Sequence, residues 1–200
     1  DVTGVQTCAL PIFHLRPGGT RVDSWYVMLF PGGVPESFRA TASLLQQYVG
    51  GSLVARPHVT IAYLEGNVRP EMLVERLEAL SSPVVPIHGR GLFSFWPDSQ
   101  HELFGYTLFM HVEKTEALER LHTMAVRAIG GTGIRPARSW EDTNLHVRLL
   151  DHLPISPSRA LRKLPEDDWA ISFPATRLVL SQSAEDGSYT EWLDMPLRSD

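Results

Sequence analysis

The chain has 200 residues, which is enough for one domain or a fused pair of smaller ones. Apolar residues make up 43% of the sequence and charged residues 20%, close to ordinary globular usage, which argues against wholesale disorder and against a fibrous repeat. The net charge is −5, the one cysteine excludes an intramolecular disulfide framework, and no apolar run approaches the ~18 residues of a transmembrane helix, so we expect no membrane partner.

The first residues of the chain do not resemble a natural protein segment. Residues 2–12, which read VTGVQTCALPI, resemble the conceptual translation of a sequencing-library adapter. An export signal would need a positively charged start and a longer apolar run. We therefore expect residues 1–12, with Cys8, to be non-native and, because the chain does not start with Met, the natural N-terminus to be missing. Since no export signal is recognised, we expect a cytoplasmic location.

Strands and helices are predicted to alternate over the rest of the chain. Short apolar or alternating runs predict strands, at 24–30, 53–64, 84–95, 103–112, 144–150, 170–181 and 189–197. Apolar residues at helical spacing predict helices, at 38–49, 70–80, 115–129 and from Ser156 or Ser158 to 164. Turn or cap residues mark several of the boundaries: Gly50-Gly51, Pro70, Thr115, Gly130-Gly131 and Asp186-Gly187.

These elements fall into two halves that share the order strand, helix, strand with a central histidine, helix, strand. We expect residues 13–200 to form a single bilobal domain, with one lobe over about 24–95 and the other over about 103–197. Alternating strands and helices fit either a parallel doubly wound sheet or antiparallel α+β sheets. No strand is followed by a loop of the G-x-G-x-x-G or P-loop kind, which argues against nucleotide binding by such loops.

The first of two histidine motifs is Pro57-His58-Val59-Thr60-Ile61. Side chains alternate between the two faces of a strand, so we expect Val59 and Ile61 to pack into the core and His58 and Thr60 to share the opposite face. A lone histidine on a strand is more often structural than catalytic. The functional interpretation of His58 therefore depends on a counterpart elsewhere in the chain.

The second motif, Leu145-His146-Val147-Arg148-Leu149, provides that counterpart. By the same alternation, His146 and Arg148 share one face of their strand. Each half of the chain thus supplies one imidazole and one donor suited to phosphate, at the same spacing. Alternatively, Arg148 is a solvated strand residue paired with a carboxylate such as Asp151.

Two histidines and two such donors suit the cleavage of a phosphodiester. The reaction needs a base that takes a proton from the nucleophile and an acid that gives one to the leaving oxygen, and histidine, with an ordinary pKa of about 6.5, can do either. Hydroxyl and guanidinium groups can hold the non-bridging oxygens. The scheme needs no metal and no other cofactor. The remaining histidines lack metal-ligand spacing and are interpreted as surface or packed residues: His88, His101, His111, His122 and His152.

The paired motifs resemble those of the 2H phosphoesterases, especially the 2′-5′ RNA ligase-like and 2′,3′-cyclic phosphodiesterase members. The resemblance extends over most of residues 24–197 and includes the first histidine motif, Gly91-Leu92-Phe93 and the closing Leu178–Ser183 pattern with Tyr189. It implies an α+β bilobal fold in which two antiparallel sheets with outer helices surround a central cleft.

The resemblance also implies an activity. Members of this family hydrolyse cyclic or 2′-linked phosphodiesters of RNA ends or small nucleotides without a metal. Carried over residue by residue, His58 and His146 become the acid/base pair and Thr60 becomes a donor to a phosphate oxygen.

The sequence departs from the family at Arg148, where Thr or Ser is usual. Arginine is longer than either but binds phosphate as a charged fork. Two hypotheses follow. The chain is a phosphodiesterase in which Arg148 binds the substrate phosphate, or it is a non-catalytic protein that binds nucleotides or RNA ends and has a degenerate second motif.

The charge pattern limits the size of the ligand. Only two of the 18 basic residues are lysines, and no dense basic tract is present, which argues against a long nucleic-acid groove. We therefore expect a small nucleotide or an RNA terminus as the partner, and a monomeric protein. Trp96 and Trp140 lie in predicted loops and are the candidates for stacking on a base.

Overall fold

A computed structural model describes residues 23–93, 106–165, 167–183 and 189–198. These residues form ten strands: β1 (Ser24–Phe30), β2 (Ser52–Leu53), β3 (Val59–Glu65), β4 (Val85–Phe93), β5 (Tyr106–Val112), β6 (Arg135–Pro136), β7 (His146–Leu153), β8 (Ala170–Ala175), β9 (Arg177–Ser183) and β10 (Tyr189–Pro196). They also form four helices: α1 (Glu36–Val49), α2 (Pro70–Glu78), α3 (Glu116–Ala128) and α4 (Pro157–Lys163). The predicted turn at Asp186-Gly187 lies outside the described residues.

The strands pair antiparallel in the order β10-β9-β1-β3-β7-β5-β4-β8, with β2 beside β7 and β6 beside β3. The predicted α+β class with antiparallel pairing is thereby confirmed. The two expected sheets are joined into one, because β3 and β7 pair at the centre through Val59 and Val147. That single pair connects two four-stranded halves.

The strands are not grouped by their order along the chain, as the predicted lobes over 24–95 and 103–197 had assumed. Strand β4, from the first predicted lobe, pairs with β5 and β8 of the second. Strands β9 and β10, from the second predicted lobe, lie beside β1 of the first. The single bilobal domain over 13–200 stays a prediction.

The predicted strand over 170–181 is two strands that separate at Thr176. The amide of Thr176 donates to the carbonyl of Phe30, and β8 and β9 then continue at different places in the sheet. An apolar run indicates that its residues are buried, but it does not indicate where the chain leaves one strand of the sheet and enters another. The predicted strand over 53–64 is also two strands, β2 ending at Leu53 and β3 starting at Val59, and Pro57, where the sequence predicts a break, lies between them.

The helices pack their predicted apolar faces on the sheet. In α1 the buried residues recur at helical spacing, and the helix ends before Gly50, whose φ of 76° suits glycine. In α3 the hydroxyl of Thr115 accepts from the amide of Leu118 at 3.4 Å, as expected of an N-cap. None of the described helices is long and apolar enough to span a bilayer.

Candidate active site

The two histidine motifs meet at the centre of the sheet. Val59 and Val147, the pair that joins β3 to β7, are fully buried on the core face. Because neighbouring residues on a strand point to opposite faces, the flanking side chains point away from this core. The four predicted site residues are brought together in one cleft there: His58, Thr60, His146 and Arg148.

The two imidazoles are held in the same way. Nδ1–H of His58 donates to the carbonyl of Arg56 at 3.1 Å, and Nδ1–H of His146 donates to the carbonyl of Asn144 at 2.9 Å. Each acceptor lies two residues before its histidine. A carbonyl oxygen only accepts, so Nδ1 carries the proton in the neutral ring and Nε2 is the basic nitrogen. Both histidines therefore present the same nitrogen for proton exchange.

Aromatic rings fix the planes of both histidines. The His58 ring packs on Phe30 with centroids 5.1 Å apart, and the His146 ring meets Phe109 edge to face at 4.9 Å. Both histidine side chains are partly buried. Packing and main-chain hydrogen bonds together orient the rings.

Burial lowers the pKa of His58 and of His146 from 6.5 to about 4. The main-chain hydrogen bonds oppose this shift, whereas the positive charge of Arg148 adds to it at both histidines. Both rings are therefore neutral at pH 7. An anionic phosphate beside them would raise both pKa values again.

Each donor of the cleft is held by a residue three positions further along its strand. The side chain of Tyr63 lines the cleft with Thr60, whose hydroxyl opposes the rise that burial causes in the pKa of Tyr63. The Nε of Arg148 lies 3.3 Å from Oδ1 of Asp151, and both side chains of this ion pair are largely buried. The alternative interpretation of Arg148 thus names the right carboxylate, that of Asp151. It is wrong that Arg148 is solvated, because the side chain is buried.

Two groups of aromatic side chains flank the motifs. On one side the ring of Tyr26 meets those of Tyr63 and Tyr189 edge to face, at 5.4 and 5.3 Å. On the other side Phe93 stacks on His111 at 4.0 Å, and His111 lies directly opposite His146 in the pairing of β5 with β7. Reading single strands did not identify these neighbours, because cross-strand registers are not visible in one sequence.

The remaining candidates from the sequence lie elsewhere. The ring of Trp140 packs against His122 at 5.0 Å and under Lys114 at 5.3 Å, so it is not a wall of the cleft. His122 is buried and bonded to the carbonyl of Ile61 at 2.8 Å. Trp96 and His101 lie outside the described residues. Within the described ranges, no three His, Cys, Asp or Glu side chains are grouped so as to hold a metal ion.

Comparison with solved structures shows what the chain is similar to. LigT of E. coli, complexed with NADP+, aligns with a TM-score of 0.54 and 16% identity over 88% of this chain and 99% of that one. TT0787 of Thermus thermophilus aligns at 0.55 and 20% identity over 88% and 99%. A protein described as a phosphoesterase aligns at 0.56 and 17% identity over 90% and 100%. A scan against protein-family models and a search of curated proteins find no match.

At these identities the likeness concerns the fold. The chain has the antiparallel α+β fold of LigT, TT0787 and the protein described as a phosphoesterase, so the expected fold class is confirmed.

Proposed function

We propose that the protein is a metal-independent phosphodiesterase of the 2H type. It acts on cyclic or 2′-linked phosphodiesters of RNA ends or small nucleotides, with His58 and His146 as the acid/base pair. The observation that carries the proposal is the matched arrangement of the two imidazoles, which line one cleft and both carry the Nδ1 proton towards a main-chain carbonyl.

The arrangement suits hydrolysis in a single displacement. One Nε2 takes a proton from the attacking water as its oxygen bonds to phosphorus. The other ring, protonated at Nε2, gives its proton to the leaving oxygen as the old P–O bond breaks. Protons balance over the cycle, because one histidine gains what the other loses. Thr60 and Arg148 hold the non-bridging oxygens, the second as a charge-assisted donor.

Small nucleotides fit the proposal. The structural neighbour LigT has been solved with 3′-AMP and with ATP bound, at TM-scores of 0.55 and 0.52 to this chain. In this protein the two motif donors beside the histidines, Thr60 and Arg148, are enough for one phosphate group. A ligand with a single reacting phosphodiester therefore suits the cleft.

The test is turnover of a 2′,3′-cyclic nucleotide in the presence of EDTA. We expect activity to persist in EDTA, and His58→Ala and His146→Ala each to lower kcat/KM by about 10²- to 10⁴-fold. His88→Ala is the matched control, because His88 is an exposed histidine that bonds Ser172 at 3.1 Å outside the cleft. Full turnover in His58→Ala would refute the proposal.

The arginine of the second motif favours one other candidate. If Arg148 displaces the phosphate from the histidines, the protein binds nucleotides or RNA ends without hydrolysing them. That candidate predicts saturable binding of 3′-AMP to the wild-type protein with no turnover of any cyclic or 2′-linked phosphodiester. Measurable turnover that depends on His146 decides against it.

A further inference from the structure

Strand β7 contains an extra residue directly after Arg148. In the pairing with β5, Phe109 lies opposite Arg148 and the next residue, Leu108, lies opposite Leu150, so Leu149 has no partner position. Leu149 and Leu150 are both fully buried on the core face. This is a β-bulge, a feature that often redirects a side chain beside an active site.

The bulge changes which face Asp151 occupies. Residues three apart on a regular strand point to opposite faces. With Leu149 inserted, Asp151 turns to the cleft face and its carboxylate lies 3.3 Å from Nε of Arg148. The Thr107 hydroxyl donates to the same carboxylate at 3.4 Å. His152 follows with a φ of 53°, a rare conformation for a residue other than glycine.

The first motif is built in the same way. Opposite β1, Val27 pairs with Ala62 and Met28 with Thr60, so Ile61 is an extra residue in β3. As a result Tyr63 shares the cleft face with Thr60, and both side chains line the same cleft. Two bulges at equivalent places thus bring a holding residue to each donor.

We propose that Asp151 is a positioning residue, which keeps the guanidinium of Arg148 ordered in the cleft so that it meets the substrate phosphate directly. This role rests on the proposed function, because it assumes that a phosphate occupies the cleft. The contact is made at Nε, and a guanidinium carries four further N–H donors on its terminal nitrogens. Asp151 therefore pairs with the guanidinium at its Nε edge, and the terminal nitrogens extend beyond this ion pair.

The expected effect follows from side-chain freedom. An arginine that is not held must lose most of its rotamer freedom when phosphate binds, so its contribution to affinity falls. We expect Asp151→Asn, which keeps the size of the side chain but removes its charge, to weaken the binding of inorganic phosphate about tenfold. KM for a 2′,3′-cyclic nucleotide should rise by a similar factor, with little change in kcat.

The experiment is a double-mutant cycle followed by calorimetric titration with inorganic phosphate. The proteins are the wild type, Asp151→Asn, Arg148→Gln and the double variant. If Asp151 acts through Arg148, adding Asp151→Asn to Arg148→Gln causes no further loss of affinity. Asp168→Asn is the matched control, because it removes the carboxylate of the exposed Arg90–Asp168 ion pair outside the cleft.

Two results overturn the inference. One is an unchanged phosphate affinity in Asp151→Asn. The other is that Asp151→Asn lowers the phosphate affinity of Arg148→Gln by the same factor as it lowers that of the wild type. A wild-type protein that binds phosphate but hydrolyses no phosphodiester would refute the proposed function instead, and the calorimetric cycle would still decide the role of Asp151.

If Asp151→Asn does not fold, the inference is tested on the wild-type protein instead. With ¹⁵N-labelled arginine, and Arg148→Gln used for assignment, the Nε–H of Arg148 should exchange with water much more slowly than that of Arg90, whose ion pair is exposed. Equal exchange rates would show that Asp151 does not order Arg148.

Discussion

The two histidines of the cleft should make the fold sensitive to mild acid. Burial lowers the pKa of each ring to about 4, whereas the same histidines in the unfolded chain keep a pKa of about 6.5. Below pH 6.5 the unfolded state binds protons that the folded state does not. The free energy of unfolding therefore falls as the pH drops from 6.5 towards 4, and above pH 6.5 the pair adds nothing to its pH dependence.

The size of the effect follows from these values. Each pH unit below 6.5 costs about 1.4 kcal/mol per histidine, so one ring contributes a loss of about 2 kcal/mol at pH 5. Both rings are partly exposed, and water reduces the penalty of charging them, so we expect about 2–4 kcal/mol for the pair. That is a large part of the 5–15 kcal/mol that stabilises an ordinary domain.

Urea unfolding at pH 7.5 and at pH 5 measures this loss. The comparison is between the wild type and the double variant His58→Gln, His146→Gln, which retains every other titrating group. The variant should lose about 2–4 kcal/mol less than the wild type between the two pH values, and His88→Gln should behave as the wild type does. An equal loss in the double variant would refute the burial argument for both rings.

Three further predictions concern the cleft and its surroundings. The general acid must be protonated, and burial keeps its pKa at about 4. As the pH rises from 5 to 8, kcat/KM on a cyclic nucleotide should therefore fall by nearly tenfold per pH unit. A flat pH profile would contradict this. Tyr63→Phe removes the hydroxyl that interacts with Thr60 in the cleft and should raise KM about threefold to tenfold, whereas Tyr48→Phe, at an exposed position on α1, should not. Gly51→Ala should lower the free energy of unfolding by about 1–3 kcal/mol, because its Cβ would lie 2.7 Å from a main-chain oxygen of β7; Gly131→Ala, with a similar φ but open space, should cost less in the same urea titration.

Local patterns in the sequence predict the elements well where neighbours along the chain decide them. Strand β1, the buried face of α1 and the capped start of α3 all follow from periodicity and end signals. The pairing of distant strands does not follow. The separation of β8 from β9 at Thr176 depends on a hydrogen bond to Phe30, which lies far earlier in the chain and which no local window contains.

The site shows the same division. Alternation along a strand is enough to place His58 and Thr60 on one face, and likewise His146 and Arg148. It places Asp151 on the wrong face, because it assumes two residues per repeat and β7 contains an extra one. A bulge is set by the register with the partner strand. The holding residue could therefore be named from the sequence only as a possible partner for Arg148.

The carboxylate of Asp151 bears directly on whether Arg148 disables the second histidine motif. A buried guanidinium beside two histidines would cost several kcal/mol if nothing compensated its charge, and would be expected to leave the cleft. Asp151 compensates that charge on the same face, so Arg148 stays beside His146 and the pair adds no net charge to the cleft. Each motif thus has a second residue on the cleft face beside its donor, Asp151 beside Arg148 and Tyr63 beside Thr60. A guanidinium whose charge is compensated inside the cleft favours the proposed phosphodiesterase over the non-catalytic alternative.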